Sequence, residues 1–335
     1  MILETNVVSP YDMTIAGRVG QEEAEAGNLL SAVLPSEQVF GQSIDILKGG
    51  NGFNEIANFR SYDSEVSFGE AGEDVEEVTV KLPALGQKTR ISELDQLKAF
   101  GHGDRQVLEN MRLKAAKLRG VAVAERMELA RGQVLQTGVA AINENRFKKT
   151  IDFDRDASMT VTAGTVWGSG TPLTDIDTWV AAYSELNGHD PENLIVSTAI
   201  RTALKKNPEV VASIHGENSK QRVTNAQLND FLIEEGLPSL VVYDKQVRKD
   251  GAQVRIIDED VAIFTPPASA GAGVTAWGTT LESLESEYGI VSGELPGIVV
   301  AAMKSRDPIG VYAHAAAIGL PVLKNANAFM AATVL

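Results

Sequence analysis

Asp152, Asp154 and Asp156 stand at the alternate spacing of a calcium-binding loop. Such a loop needs glycine at the next position and a bidentate glutamate six residues beyond it, and alanine occupies both places, at 157 and 163. A solvated acidic turn is the reading that remains. The four histidines, His102, His189, His215 and His314, are scattered, and no H-E-x-x-H pair exists. No serine lies in a G-x-S-x-G elbow, and no glycine-rich run ends in the Lys-Ser/Thr of a phosphate loop. Gly168-Ser169-Gly170 and Gly271-Ala272-Gly273 are isolated G-x-G pieces that read as loops. Carboxylates cluster at Glu73, Asp74, Glu76 and Glu77, and again at Asp258, Glu259 and Asp260. Runs of adjacent like charge are solvated faces unless burial splits their pKa values. There is no cysteine, so disulfides, thiolate catalysis and thiolate metal centres are excluded. The residues point to a structural or binding role, with no catalytic residue, cofactor or metal expected.

Around these residues lies a chain of ordinary globular composition. It has 335 residues, 44% hydrophobic and 22% charged, enough for one large domain or two modest ones. No apolar run approaches the ~20 residues of a membrane helix, and the opening MILETNVVSPYDMT lacks a basic-then-apolar leader, so a cytoplasmic life is expected. Thirty bases against 45 acids give a net charge of −15, which disfavours duplex DNA as a bound partner. Stability without disulfides invites assembly with copies of the same chain.

The pattern is α+β, and no repeat of 20–50 residues is present. Residues 1–36 read as an arm with a short helix over 22–33, halted by Pro35. A strand over 39–47 ends at the turn-forming Lys48-Gly49-Gly50-Asn51-Gly52. Polar–apolar alternation over 64–68 and 77–82, around the acidic turn Gly69–Asp74, gives a long β ribbon. Residues 104–137 form the strongest helix, with Leu108, Met111, Ala115, Leu118 and Val121 on one expected buried face and Val123, Met127, Ala130 and Val134 continuing it. Arg112, Lys114, Lys117 and Arg119 lie mostly off that stripe; Asp104 is the candidate cap, Gly138 the stop, and Gly120 and Gly132 are expected to weaken or bend it. Helices follow over 175–186 (Thr174 as cap), 197–206 and 225–235. Strands are expected over 151–153, 159–162, 194–196, 261–264, 297–304 and 328–335, with 239–243 paired to 253–257.

Four stretches carry a resemblance. They are TVKLPALGQKTRISELD at 79–95, ERMELARGQVLQTG at 125–138, TAWGTT at 275–280, and the tail DPIGVYAHAAAIGLPVLKNANAFMAATVL. In order along the chain they resemble the lambda-type phage major capsid protein E family, over roughly residues 28–335. The ARGQVLQTG and tail motifs are the specific ones.

The resemblance implies the Hong Kong 97-type capsid fold. On it, residues 1–59 are an N-terminal arm and 60–90 the extended β-hairpin loop. Residues 91–171 are a peripheral domain with its spine helix at 104–137. Residues 172–295 are the axial domain, and 296–335 return to the peripheral domain. It implies pentamers and hexamers of the chain itself, closing an icosahedral shell around DNA that it does not bind specifically. A scaffolding protein, a portal and a decoration protein are the implied partners, with assembly in the host cytoplasm and residence in the virion. Subunit contacts are expected from Val66, Phe68, Glu70, Glu73, Asp74, Val78 and Val80 of the loop. The basic Arg112, Lys114, Lys117 and Arg119 of the spine are expected to meet the acidic tip. Two other readings stay open: an encapsulin-like compartment of the same fold, and an acidic hydrolase with dispersed carboxylates.

Overall fold

Three prolines open helices. Pro10 starts Pro10–Ala26 behind Ser9, whose hydroxyl accepts from Asp12 N at 3.0 Å. Pro172 starts Pro172–Asn187, and Pro208 starts Pro208–His215 behind Asn207, which accepts from Glu209 N at 2.8 Å. Proline is pre-set for a first helical turn, where its missing N–H has no intrahelical partner to lose. This corrects three sequence expectations. The first helix begins at residue 10 and ends at Gly27, with Leu29–Val33 a separate short helix. Thr171 and not Thr174 precedes the 172–187 helix. Asn207-Pro208 both stops the Thr198–Lys206 helix and begins another.

The computed structural model describes residues 1–48, 76–94, 96–97, 105–144, 146–217, 219–307 and 309–335. The strand expected over 64–68, the acidic turn, His102 and the cap Asp104 lie outside the described residues. The expected strand over 77–82 is present as Glu76–Lys81, and it pairs with Ser43–Lys48.

The chain divides into two compact units. The first comprises 1–44, 79–131 and 274–322. Its six-stranded sheet runs in the order Ile2–Leu3, Val299–Arg306, Ile309–Leu323, Gly273–Gly278, Ser36–Gln38, and Ala84–Arg90 also pairs with Ile309–Leu323. The 15-residue strand Ile309–Leu323 was not expected, because its alanine-rich centre carries no β signal. One sheet face buries Val300, Ala302, Val311, Ala313, Ala315 and Ala317 with Met13, Ala116, Val123 and Met127.

The second unit comprises 45–78, 132–273 and 323–335. Its sheet runs Ser239–Val242, Asn193–Val196, Val261–Thr265, Met330–Thr333, Thr160–Thr162. Helices Pro172–Asn187, Thr198–Lys206, Pro208–His215 and Asn225–Glu234 contribute to one core with it. That core is built from large side chains: Trp167 stacks on Trp179, which meets Phe264 edge-on. The expected pairing of 239–243 with 253–257 is replaced. Ser239–Val242 lies parallel to Asn193–Val196. Gln246–Lys249 pairs with Ala252–Arg255 across Asp250 and Gly251, both at positive φ, the backbone of a two-residue hairpin turn. A second hairpin joins Val139–Glu144 to Phe147–Asp152. The last strand, Met330–Thr333, belongs to this sheet, while Val299–Arg306 and Ile309–Leu323 pair with each other in the other.

Candidate functional site

The long helix Arg105–Thr137 has 33 residues and is about 50 Å long. Its buried face is only in part the apolar stripe expected: Val123, Met127 and Val134 are buried, but none of Leu108, Met111, Ala115, Leu118 and Val121 is. Leu118 is 51% exposed. Arg112, Ala116, Gly120, Ala124, Glu128 and Arg131 are buried beside the three apolar ones. The face follows helical spacing, but small and charged residues occupy much of it, so a hydrophobic-period reading recovers only part. Gly120 neither breaks nor ends the helix. A Cβ there would sit 1.8 Å from the carbonyl oxygen of Gly17, and one on Gly20 would sit 2.2 Å from that of Lys117. These glycines let helix Pro10–Ala26 touch the long helix backbone to backbone.

Two to three turns further on lies a buried ionic cluster. Glu128 and Arg131 have no exposed side-chain surface and pair at 3.1 Å. Arg131 also reaches Glu25 at 3.2 Å and donates to the Thr275 hydroxyl at 2.8 Å. The other oxygen of Glu128 accepts from Leu30 N at 2.9 Å. The Thr275 hydroxyl donates onward to Leu34 O. Trp277 Nε1 donates to the Ser36 hydroxyl at 3.0 Å. The cluster therefore ties the long helix to the chain at 25–36 and to the strand that carries Trp277. Buried charges are tolerable only when paired and hydrogen-bonded, and these are.

The first 18 residues cover a strand edge. Leu3 pairs with Met303, and Glu4 N donates to Ala302 O. Where this short strand ends, side chains continue its work. The Thr14 hydroxyl donates to Val300 O at 3.0 Å and accepts from Val300 N at 3.1 Å. Arg18 then donates to Ile298 O and Glu294 O. The edge of Val299–Arg306 is thus satisfied from within the chain, which removes a template for adventitious strand addition.

In the second unit, the end of the long helix is closed by several groups. Gly132 lies against the Ile256 carbonyl, where a Cβ would come to 2.2 Å. Gly138 takes φ 71 and donates to Val134 O. Arg155 donates to the carbonyls of Val134, Leu135 and Gln136, a cation placed at the negative helix end. Burial lowers its guanidinium pKa to about 10, with Asp152 opposing the shift. Glu128, Arg131, Gly132 and Gly138 thereby each have a physical task. Asp156, from the triple aspartate, accepts from Ser158 N and its hydroxyl; these bonds hold its carboxyl below the usual range. Glu259 and Asp244 pair with Arg255. Among the described residues, no group of three or more His, Cys, Asp or Glu is arranged to hold a metal ion. Among them, too, no helix is long and apolar enough to cross a membrane.

A family model described as phage major capsid protein E matches residues 24–334. The chain belongs to this family. The buried ionic cluster and the helix end just described fall inside the match, whereas Thr14, Gly17, Arg18 and Gly20 precede it. Among solved structures, the chain is similar to a prophage capsid protein of E. coli CFT073, at 15% identity and TM-score 0.63, over 95% of this chain and 97% of that one. It is also similar to a phage-related protein of Bordetella bronchiseptica RB50, at 11% identity and TM-score 0.58, over 99% and 97%. A third likeness is to the satellite phage P4 procapsid, at 9% identity and TM-score 0.50, over 94% and 90%. The chain matches none of the curated proteins. At these identities the structures speak for the fold, which is of the Hong Kong 97 type. The chain is a tailed-phage major capsid protein.

In this capsid chain the structure describes Val78, Val80, Arg112, Lys114, Lys117 and Arg119 of the residues expected at subunit contacts. Val66, Phe68, Glu70, Glu73 and Asp74 lie outside the described residues. Val78 is half-buried, and Val80 is buried in its own subunit at 3% exposure. Arg112 is buried 3.9 Å from Glu4, and burial lowers its pKa while Glu4 opposes the shift. Lys117 pairs with Glu23 at 2.7 Å, and Arg119 bonds to Gln87. Lys114 is exposed. Three of the four spine cations thus have partners inside their own chain. Sequence reasoning missed Glu25, Glu128, Arg131 and Thr275. The available signal was a Glu and an Arg three apart within a helix, flanked by small residues.

Proposed function

We propose that this capsid chain acts entirely by self-association, without catalysis or cofactor. Pentamers and hexamers of it close an icosahedral shell, assembled in the host cytoplasm around a scaffolding protein and a portal, and later met by a decoration protein. The family match across residues 24–334 carries this reading. The net charge of −15 agrees with a wall that encloses DNA without trapping it. On this reading residues 1–59 act as the arm, 60–90 as the extended loop, 91–171 with 296–335 as the peripheral domain, and 172–295 as the axial domain. The loop reaches a neighbouring subunit through the residues around Val66 and Phe68. Affinity comes from apolar burial repeated over many copies, at ~25 cal/mol per Å2 before entropy losses.

The test is expression with the phage's own scaffold, viewed by electron microscopy. Closed particles, or rings of five or six, are the expected result; a chain that stays monomeric throughout sinks the proposal. Duplex DNA binding at physiological salt should be looser than the roughly 1–100 µM of non-specific binders. Tight, steeply salt-dependent binding would contradict the container reading.

A further inference from the structure

The short helix Leu281–Leu284, in the first unit, is turned inside out. Leu281 and Leu284 are 73% and 60% exposed, while Ser283 between them is buried. A helix that faces water shows the opposite arrangement, with its apolar residues inward. Tyr288 packs with Val299 and Ala301 and anchors the segment to its sheet, so the leucines are free to do something else. Acids surround them. No Lys or Arg occurs from 256 to 303, and Glu282, Glu285 and Glu287 follow the leucines directly. Burial raises the Tyr288 phenol pKa, and the same three carboxylates push it further, which places them around one spot. Glu285 and Glu287 are exposed. An outward apolar pair rimmed by acids of one sign marks a contact surface whose partner is basic and carries an apolar side chain.

The second unit presents that chemistry. Two hairpins are joined there, Val139–Glu144 with Phe147–Asp152 and Gln246–Lys249 with Ala252–Arg255, by Lys249 Nζ at 2.6 Å from Glu144. Residues 139–152 and 246–255 carry six Lys or Arg against three Asp or Glu, in a chain whose net charge is −15. Arg255 is held by Asp244 and Glu259, but Arg146, Lys148 and Arg248 are exposed. Phe147 stands between the first two, 46% exposed, beside Arg146 at φ 67 in the turn. One apolar side chain between two cations is the counterpart of two leucines followed by carboxylates.

We propose that the basic hairpins of one copy dock on the 281–287 ledge of a second copy, with Phe147 against Leu281 and Leu284 and with Arg146 and Lys148 facing Glu285 and Glu287. The inference rests on the self-association proposed above and names a surface for it. Phe147, Leu281 and Leu284 all stay exposed in the single chain, so the contact joins different copies. Each copy carries both halves, which makes the interface head-to-tail, the kind that closes rings. Duplex DNA fits the hairpins less well, because it asks for many clustered cations and offers the leucines nothing. Opposed charges at such a contact set register and partner more than they set affinity.

The absence of cysteine makes the test clean. One chain carries Phe147→Cys and another Leu284→Cys; they are assembled together and the shells are oxidised. Covalent dimers on a denaturing gel are expected from the mixture and from neither chain alone. With both substitutions in one chain, the dimers should lengthen into a ladder. Shells with no link, or a link confined to single chains, overturn the proposal. A second arm uses charge at exposed positions, so folding is kept and circular dichroism should not change. Glu285→Lys with Glu287→Lys should lower shell yield about tenfold, and adding Arg146→Glu with Lys148→Glu should restore it. Unchanged yield counts against the contact. So does a loss of encapsidated nucleic acid alone on reversing Arg146 and Lys148, which would assign the hairpins to DNA. If wild-type chain with scaffold forms no shells, self-association falls and this contact with it. Shells that persist without link or rescue sink the contact alone.

Discussion

The two units bury their interiors in opposite ways. The first packs alanine and glycine: Ala302, Ala313, Ala315 and Ala317 on the sheet, Ala116 and Gly120 on the long helix, Gly17 and Gly20 on the helix before it. Backbones come close, and the ion pair of Glu128 and Arg131 sits within. The second unit holds its elements apart with Trp167, Trp179, Tyr183 and Phe264, and Tyr183 donates to Ala328 O. Small residues lower the apolar area per contact but fix the distance between elements, since backbone atoms cannot yield. Large side chains supply more apolar area and can relax when altered. The first unit is therefore intolerant of added volume or a lost charge, and the second of lost volume.

The widest effects test both sides of that contrast. Arg131→Met removes the cation 3.1 Å from the fully buried Glu128, and should destabilise the first unit by about 3–5 kcal/mol in chemical denaturation. Adding Glu128→Met should recover much of the loss; if it does not, the cluster's hydrogen bonds to Leu30 and Thr275 matter more than its charge balance. Phe264→Ala should cost a similar 3–5 kcal/mol, by cavity formation in the second unit. Hydrogen exchange would show which unit loosens, and loosening in the wrong unit would break the comparison.

Gly120→Ala gives a smaller effect with an informative sign. Alanine favours a helix by about 1 kcal/mol over glycine, so a helix free of close neighbours would gain stability. Here the added carbon meets the Gly17 carbonyl, and a net loss of about 1–3 kcal/mol is expected. A rise in melting temperature would mean that the two helices are not in backbone contact. Least of all should Leu118→Ala matter, within about 0.5 kcal/mol, because half of that side chain faces solvent. A large loss there would return the buried face to the apolar stripe first expected.

Chain order of motifs, not side-chain periodicity, made the family legible. The segment from Glu128 to Gly138 announces itself because helix docking, a buried ion pair and a left-handed stop need particular residue types together. The long helix was equally plain, since its polar and apolar residues recur at helical spacing over nine turns. Its orientation was not. Apolarity marks the buried Val123, Met127 and Val134, but the face also takes in alanine, glycine and charge, which no apolar period reveals.

By itself, the sequence determined the absence of thiol chemistry, the α+β pattern, the helix over 104–137 within a residue at its start, and the starts of the 198–206 and 225–234 helices. These are local matters: propensity, caps and spacing act within a few residues. Tertiary structure alone decided that Gly120 is a crossing point within an unbroken helix, that Thr14 completes a strand edge almost 300 residues away, that 76–81 pairs with 43–48, and that Ala-rich 309–323 is a strand. Each depends on which distant backbone lies beside it, and a linear pattern carries no record of that neighbour.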